Sequence, residues 1–196
     1  MSTESLGIAL AVREQDDRVA TLRGRMAEQD LAAVAVASPE AVYYLTGLDH
    51  LGYFAFTLLI VPARGDLLVV TREMERPTVR AQIPHCRHLT FGEGTDPAAV
   101  VAAALGEVVS CDDIIGVEDS AMYFPPAIHR RIRAALPDIR WRDASPLVSR
   151  AMAVKSGAEI EQVRRAAAVS DAAMAAAIAA ACAGVAEREV AAAVQH

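Results

Sequence analysis

The sequence is short of the features that announce chemistry or destination. It has no P-loop, no G-x-S-x-G elbow, no H-E-x-x-H helix and no EF-hand loop, so phosphate cradling, serine hydrolysis, zincin chemistry and calcium sensing have no motif to rest on. A basic excess is also missing. Lys and Arg total 19 against 25 Asp and Glu, giving a formal net charge of −6 and a pI near 5.4, which offers no global attraction to nucleic acid or anionic membranes. The most alanine-rich stretch, Ala172 to Ala183, falls short of the roughly 20 apolar residues that span a bilayer. The opening residues MSTESLGIALAVREQDD lack a basic start and a small-residue cleavage pattern, so a cytoplasmic location is expected. Cys86, Cys111 and Cys182 form no CxxC and are odd in number, and are expected to be free and reduced.

What is present is enough for a core. With 196 residues, 54% of them hydrophobic, the chain suits one full domain plus an appendage, since domains usually hold roughly 100 to 150 residues. A helix capped at Asp16 or Asp17 is expected to run to Gln29. LAAVAVAS, from Leu31 to Ser38, reads as a buried strand, and Pro39-Glu40 opens a short helix ending near Gly47. FAFTLLIV (Phe54 to Val61) and LLVVT (Leu67 to Thr71) flank PARGD, which supplies the Gly-Asp of a tight reversal; the Arg64-Gly65-Asp66 tripeptide is read as that turn. A helix over Glu73 to Ile83, a strand in CRHLTF, a helix entered at Asp96-Pro97, a strand over Asp113 to Glu118, a helix from Pro126 to Leu136 and a strand over Ile139 to Ala144 follow. The alternation predicts an α/β fold, a mixed six-stranded sheet with helices on both faces.

Pro146 to Ala153 reads as a short exit turn, dividing a domain at 1–153 from a second segment at 154–196. There Ser156 and Glu159 form an S-x-x-E capping box, and Ile160, Val163, Ala167, Met174, Ile178 and Ala181 fall on one helical stripe. Gly184 is expected to stop this helix and Glu187 to start another. Such a pair has little to bury itself against, so it belongs to a larger unit or lies across a partner.

Few residues suggest a site. His85, Cys86 and His88 in PHCRH could bind a transition metal but lack convergent further ligands, and an exposed strand entrance explains them better. FGEGTDP holds a G-x-G without the third glycine, and is read as a loop with an Asp96 cap. Glu118-Asp119 is expected to cap the following helix, and Arg130, Arg131 and Arg133 to form a solvated helix face. TGLDHLGYFAF, from Thr46 to Phe56, is the most informative loop, because it sets Asp49, His50, Tyr53 and Phe54 between a helix end and an inner strand.

The "YYLTG" helix end, the aromatic loop and hairpin after it, and above all "KSGAEIEQVRRAAAVSDAAM" resemble the creatinase/prolidase/aminopeptidase P group of metallopeptidases. Lys155, Ser156, Glu159, Ile160, Arg164, Arg165, Ala166 and Ala167 match its K-S-x-x-E-I linker and first helix. "GVAEREVAAAV" resembles the start of the second helix, with Ala186 where a hydroxyl residue is usual. The resemblance implies an amino-terminal α/β domain with a ribonuclease-H-like motif, followed by one or two helices of an incomplete pita-bread catalytic domain. It implies two divalent metal ions (Mn, Co or Zn) in the complete enzyme, held by residues beyond this chain, so the chain alone has no catalytic or metal-ligating residues and no cofactor of its own. It also implies a homodimer acting on proline-containing peptides or a small amide, with His50, Tyr53 and Phe54 shaping substrate access, and with no role in binding nucleic acid or membrane. The expected function is thus the non-catalytic portion of an Xaa-Pro aminopeptidase or dipeptidase. A creatinase-like or ectoine-hydrolase-like amidohydrolase and a free-standing binding or dimerisation module are the alternatives.

Overall fold

The computed structural model describes residues 3–50 and 55–195. The chain divides into two compact units, Met1–Ala153 and Val154–His196. Among the described residues, no helix is long and apolar enough to cross a membrane.

The first unit is a six-stranded sheet between two helical layers. Its strands are β1 (Leu31–Val36), β2 (Leu58–Pro62), β3 (Leu68–Arg72), β4 (Arg87–Phe91), β5 (Ile114–Val117) and β6 (Arg140–Asp143), and its helices are α1 (Thr3–Ala27), α2 (Pro39–Thr46), α3 (Arg76–Gln82), α4 (Pro97–Gly106), α5 (Pro126–Ala135) and α6 (Ser145–Ala153). The order across the sheet is β4-β3-β2-β1-β5-β6. β2 is antiparallel to both neighbours while the other pairings are parallel. The expected mixed six-stranded α/β fold is what forms. β1, β2 and β5 are apolar throughout because both of their faces are covered. On one face Leu31, Val34, Val36, Leu59, Val61 and Val69 pack under α1, α2, α3 and α6; on the other, Ala33, Ala35, Ile60, Val70, Ile115 and Val117 pack under α4 and α5. From Ala33 to Val36 this is the period-two alternation of a strand buried on both sides, and Leu31 departs from it where the β1–β5 register shifts.

Several boundaries differ from expectation. α1 begins at Thr3, so Asp16 and Asp17 lie inside the helix, far from the first turn whose N–H groups a cap would serve. β2 starts at Leu58 instead of Phe54. Glu73–Glu75 is a 3-10 turn before α3. The expected exit turn at Pro146 is α6 itself, because Leu147 and Val148 have a core to enter. Asp143 Oδ1 accepts from the Ser145 backbone N–H at 2.8 Å and so helps to start that helix. The β2–β3 reversal forms as expected, with Gly65 at φ 89°, and Arg23 from α1 donates to the carbonyls of Pro62 (2.9 Å) and Gly65.

The second unit holds α7 (Gly157–Ala180) and α8 (Glu187–Val194). The Ser156–Glu159 capping box forms in full: Ser156 Oγ accepts from Glu159 N at 3.1 Å and Glu159 carboxylate accepts from Ser156 N at 2.6 Å. At α8 only half forms, since Ala186 has no side-chain acceptor and the Glu189 carboxylate merely receives the Ala186 N–H at 3.3 Å. Ile160, Val163, Met174 and Ile178 are exposed.

Gly116, in the middle of β5, has no room for a side chain. A Cβ there would lie 2.8 Å from the Ala144 methyl and 3.1 Å from Leu31 and Val34 side chains. Gly116→Ala is expected to lower stability by about 1–3 kcal/mol, read as a reduced urea midpoint at unchanged m-value.

Candidate functional site

Open α/β sheets bind ligands beyond the carboxyl ends of their strands, where connections depart to opposite sides. Here that point lies between β1 and β5, since the chain leaves β1 towards β2 on one side and leaves β5 towards β6 on the other. The crevice is filled by the protein itself. One oxygen of the Glu118 carboxylate accepts from the backbone N–H groups of Ala37 (2.9 Å) and Ser38 (2.8 Å), and the other from Ser38 Oγ (2.6 Å). Glu118 does not cap the helix that follows it. It ties down the β1–α2 turn, 80 residues upstream, accepting from two N–H groups that lie ahead of the helix. Its partner in sequence, Asp119, lies 3.8 Å from His129 Nδ1 on α5.

The loop after α2 is anchored at its start. Gly47 terminates the helix at φ 81°, in the left-handed region that favours glycine. Thr46 Oγ1 then accepts from Leu48 N at 3.1 Å, and Gln82 on α3 makes a two-bond clasp with Asp49, accepting from its N–H at 2.7 Å and donating to its carbonyl at 3.0 Å. His50 is half-buried, with Nε2 3.1 Å from the hydroxyl of buried Thr57. Burial pushes its pKa down, partly opposed by the Leu48 backbone, Glu75 and Asp49. Of the three residues expected to shape substrate access, His50 is therefore positioned from both ends of the loop, whereas Tyr53 and Phe54 lie outside the described residues.

Other candidates separate. In PHCRH, His85 is exposed, Cys86 is buried with its thiol pushed up to about 12 by desolvation, and His88 turns to Thr71 Oγ1 at 2.8 Å. Thr71 spends its proton on the Arg72 carbonyl at 2.9 Å, so it accepts from His88 Nε2–H. Beside them, hydrogen bonds from Arg76 and Thr90 hold the exposed Glu73 carboxyl down at about 2. Among the described residues, no group of three or more His, Cys, Asp and Glu could hold a metal ion. Asp96 caps α4 by accepting from Ala98 N at 2.9 Å, as expected. The α5 arginines are exposed as expected, but two are engaged: Arg131 pairs with Asp96 at 2.9 Å and Arg133 stacks over Trp141.

One cluster had no sequence signal. Phe56 meets Phe91 and Phe124; Phe124 stacks on His129, whose ring also meets the edge of Trp141. The residues come from five separate segments without periodicity, so only the fold assembles them. This row anchors the exit of the 48–57 loop on the α4–α5 face. The arrangement is suited to positioning and recognition. It brings together no nucleophile with a base.

Residues 18–154 match the family described as the Creatinase/Prolidase N-terminal domain. An uncharacterized hydrolase/peptidase of Sinorhizobium fredii is 28% identical over 192 residues, covering 93% of this chain and 49% of that protein. The crystal structure of prolidase from Thermococcus sibiricus superposes with a TM-score of 0.74 at 20% identity, over 90% of this chain and 47% of that one. That of the prolidase from Pyrococcus horikoshii gives 0.70 at 21%, over 91% and 47%. The chain thus spans about half the length of these relatives.

Two outcomes follow for this site. Glu118→Ala leaves two amide donors at the β1–α2 junction without their carboxylate, and is expected to cost about 3 kcal/mol in urea unfolding. His50, His88 and His129 all have pKa values lowered first by desolvation. The unfolded chain therefore takes up protons before the folded one, and stability is full above the ordinary histidine range and declines as pH falls through it. The urea midpoint should drop between about pH 7 and pH 5, and His129→Leu should flatten that slope.

Proposed function

Because the chain belongs to the creatinase/prolidase N-terminal domain family, we propose that it is the amino-terminal, non-catalytic part of an Xaa-Pro aminopeptidase- or dipeptidase-like metal-dependent hydrolase, serving dimerisation and substrate access. The observation that carries the reading is the family match over 18–154, followed at once by the fully formed Ser156–Glu159 cap that opens a long helix. The hydrolase/peptidase name of the Sinorhizobium fredii relative, which aligns with 93% of this chain, points the same way. In this reading the enzyme is a cytoplasmic homodimer, and its two divalent metals are held by residues outside those described. The base of the 48–57 loop is tied to α3 by the Asp49–Gln82 clasp and to Thr57 by His50, which supports an access role for the residues it carries. A fixed loop base matters for such a role, because an access residue discriminates only if its own position costs little to maintain.

The test uses the full-length protein. Loaded with Mn, Co or Zn, it is expected to hydrolyse Xaa-Pro peptides, to lose that activity on chelation, and to leave creatine and ectoine-type amides untouched. The 196-residue chain alone should be inactive in the same assay. Replacing His50, Tyr53 and Phe54 together by Ala should raise KM about tenfold, equivalent to ~1.4 kcal/mol, with kcat little changed. Unaltered KM and substrate preference would remove the access role, and cleavage of creatine in place of Xaa-Pro peptides would replace the peptidase reading.

A further inference from the structure

The last residue of α3, Gln82, is exposed, yet it stands on a firmly held support. Val79 and Ile83 on either side of it are buried in the core, which fixes the backbone at Gln82 while leaving its side chain at the surface. The start of the segment is secured too. Glu73 in the preceding turn accepts from Arg76 at 2.6 Å and from the Thr90 hydroxyl on β4, and Arg76 also donates to Thr90 Oγ1 at 2.7 Å. α3 is thus a short post held at both ends.

From that post the Gln82 amide meets the Asp49 backbone twice: Oε1 accepts from the Asp49 N–H at 2.7 Å, and Nε2 donates to the Asp49 carbonyl at 3.0 Å. The two bonds settle the orientation of the amide, since a flipped one would face donor to donor and acceptor to acceptor. They engage the peptide groups on both sides of the Asp49 Cα, and so set the direction in which the chain leaves for His50. Few side chains can do this. A Glu carboxylate has no donor, Lys and Arg have no acceptor, and Asn is one methylene shorter. His50 follows directly, half-buried, with Nε2 3.1 Å from the hydroxyl of buried Thr57. Its backbone is held from α3 and its ring from the residue that precedes β2. We propose that Gln82 is a positioning residue, which acts through the Asp49 backbone to aim His50 and thereby sets how readily substrate enters. This rests on the access role given to His50 under the hydrolase reading. Two uncharged hydrogen bonds at the surface add little to global stability, so the effect of losing them belongs in KM.

Two variants test it. Gln82→Met keeps the length of the side chain and removes both bonds; Gln82→Glu removes the donor and faces the Asp49 carbonyl with a carboxylate. In NMR of the 196-residue chain, the Asp49 amide should exchange about tenfold faster in Gln82→Met. The His50 imidazole should titrate at higher pH than in the parent, because burial is the first cause of its lowered pKa and the Leu48 backbone, Glu75 and Asp49 act in the opposite direction. Both variants should melt close to the parent. In the full-length protein with an Xaa-Pro peptide, each should raise KM about threefold with kcat unchanged. Unaltered Asp49 exchange and His50 titration overturn the positioning role whatever the substrate. A KM unmoved by either Gln82 variant but raised in the triple Ala variant at His50, Tyr53 and Phe54 overturns it and spares the access reading. A KM unmoved in all of them removes both together. A lowered kcat or melting temperature at unchanged KM means a structural role alone, and also overturns the proposal.

Discussion

The first unit depends on one carboxylate. Glu118 leaves β5 and satisfies the two backbone N–H groups and the hydroxyl with which β1 turns into α2. The end of β5 is thereby locked to the β1–α2 turn, 80 residues upstream, at the crevice where an open α/β fold would ordinarily receive a ligand. A helix entrance buried without such a partner would carry unsatisfied donors. By supplying the partner from within, the protein gives up its most obvious binding position and gains a fixed point from which α2, Gly47 and the following loop are aimed.

The next fixed point is the base of the loop that leaves α2. The 48–57 loop is held by contacts at its base, with Gly47 packed against Gln15, Asp49 clasped by Gln82 and Phe56 seated on the aromatic row.

Much of the fold was legible because burial leaves a pattern. Apolar runs such as Leu31–Val36 and Leu58–Pro62, and caps such as Asp96-Pro97 and Ser156/Glu159, identify themselves locally. The errors arose where a local signal competed with a tertiary one. Asp16 and Asp17 looked like a cap, but the helix runs through them, and Ser145-Pro146 looked like an exit, but Leu147 and Val148 found a core. The site was less legible. Glu118 holding a turn 80 residues away and the aromatic row around His129 are relations between remote positions, with no period or spacing to betray them. The K-S-x-x-E-I stretch carried family information because its chemistry is local: a hydroxyl and a carboxylate closing on each other across one turn.

That same capping box bears on how α7 meets whatever covers it. A 24-residue alanine-rich helix whose first turn is secured from within has already met its nucleation cost. Its apolar stripe through Ile160, Val163, Met174 and Ile178 is thus presented on a preformed rod. A surface docking there need not order the helix as it binds, so association should be governed by shape and apolar contact, with little of the entropic penalty that accompanies coupled folding.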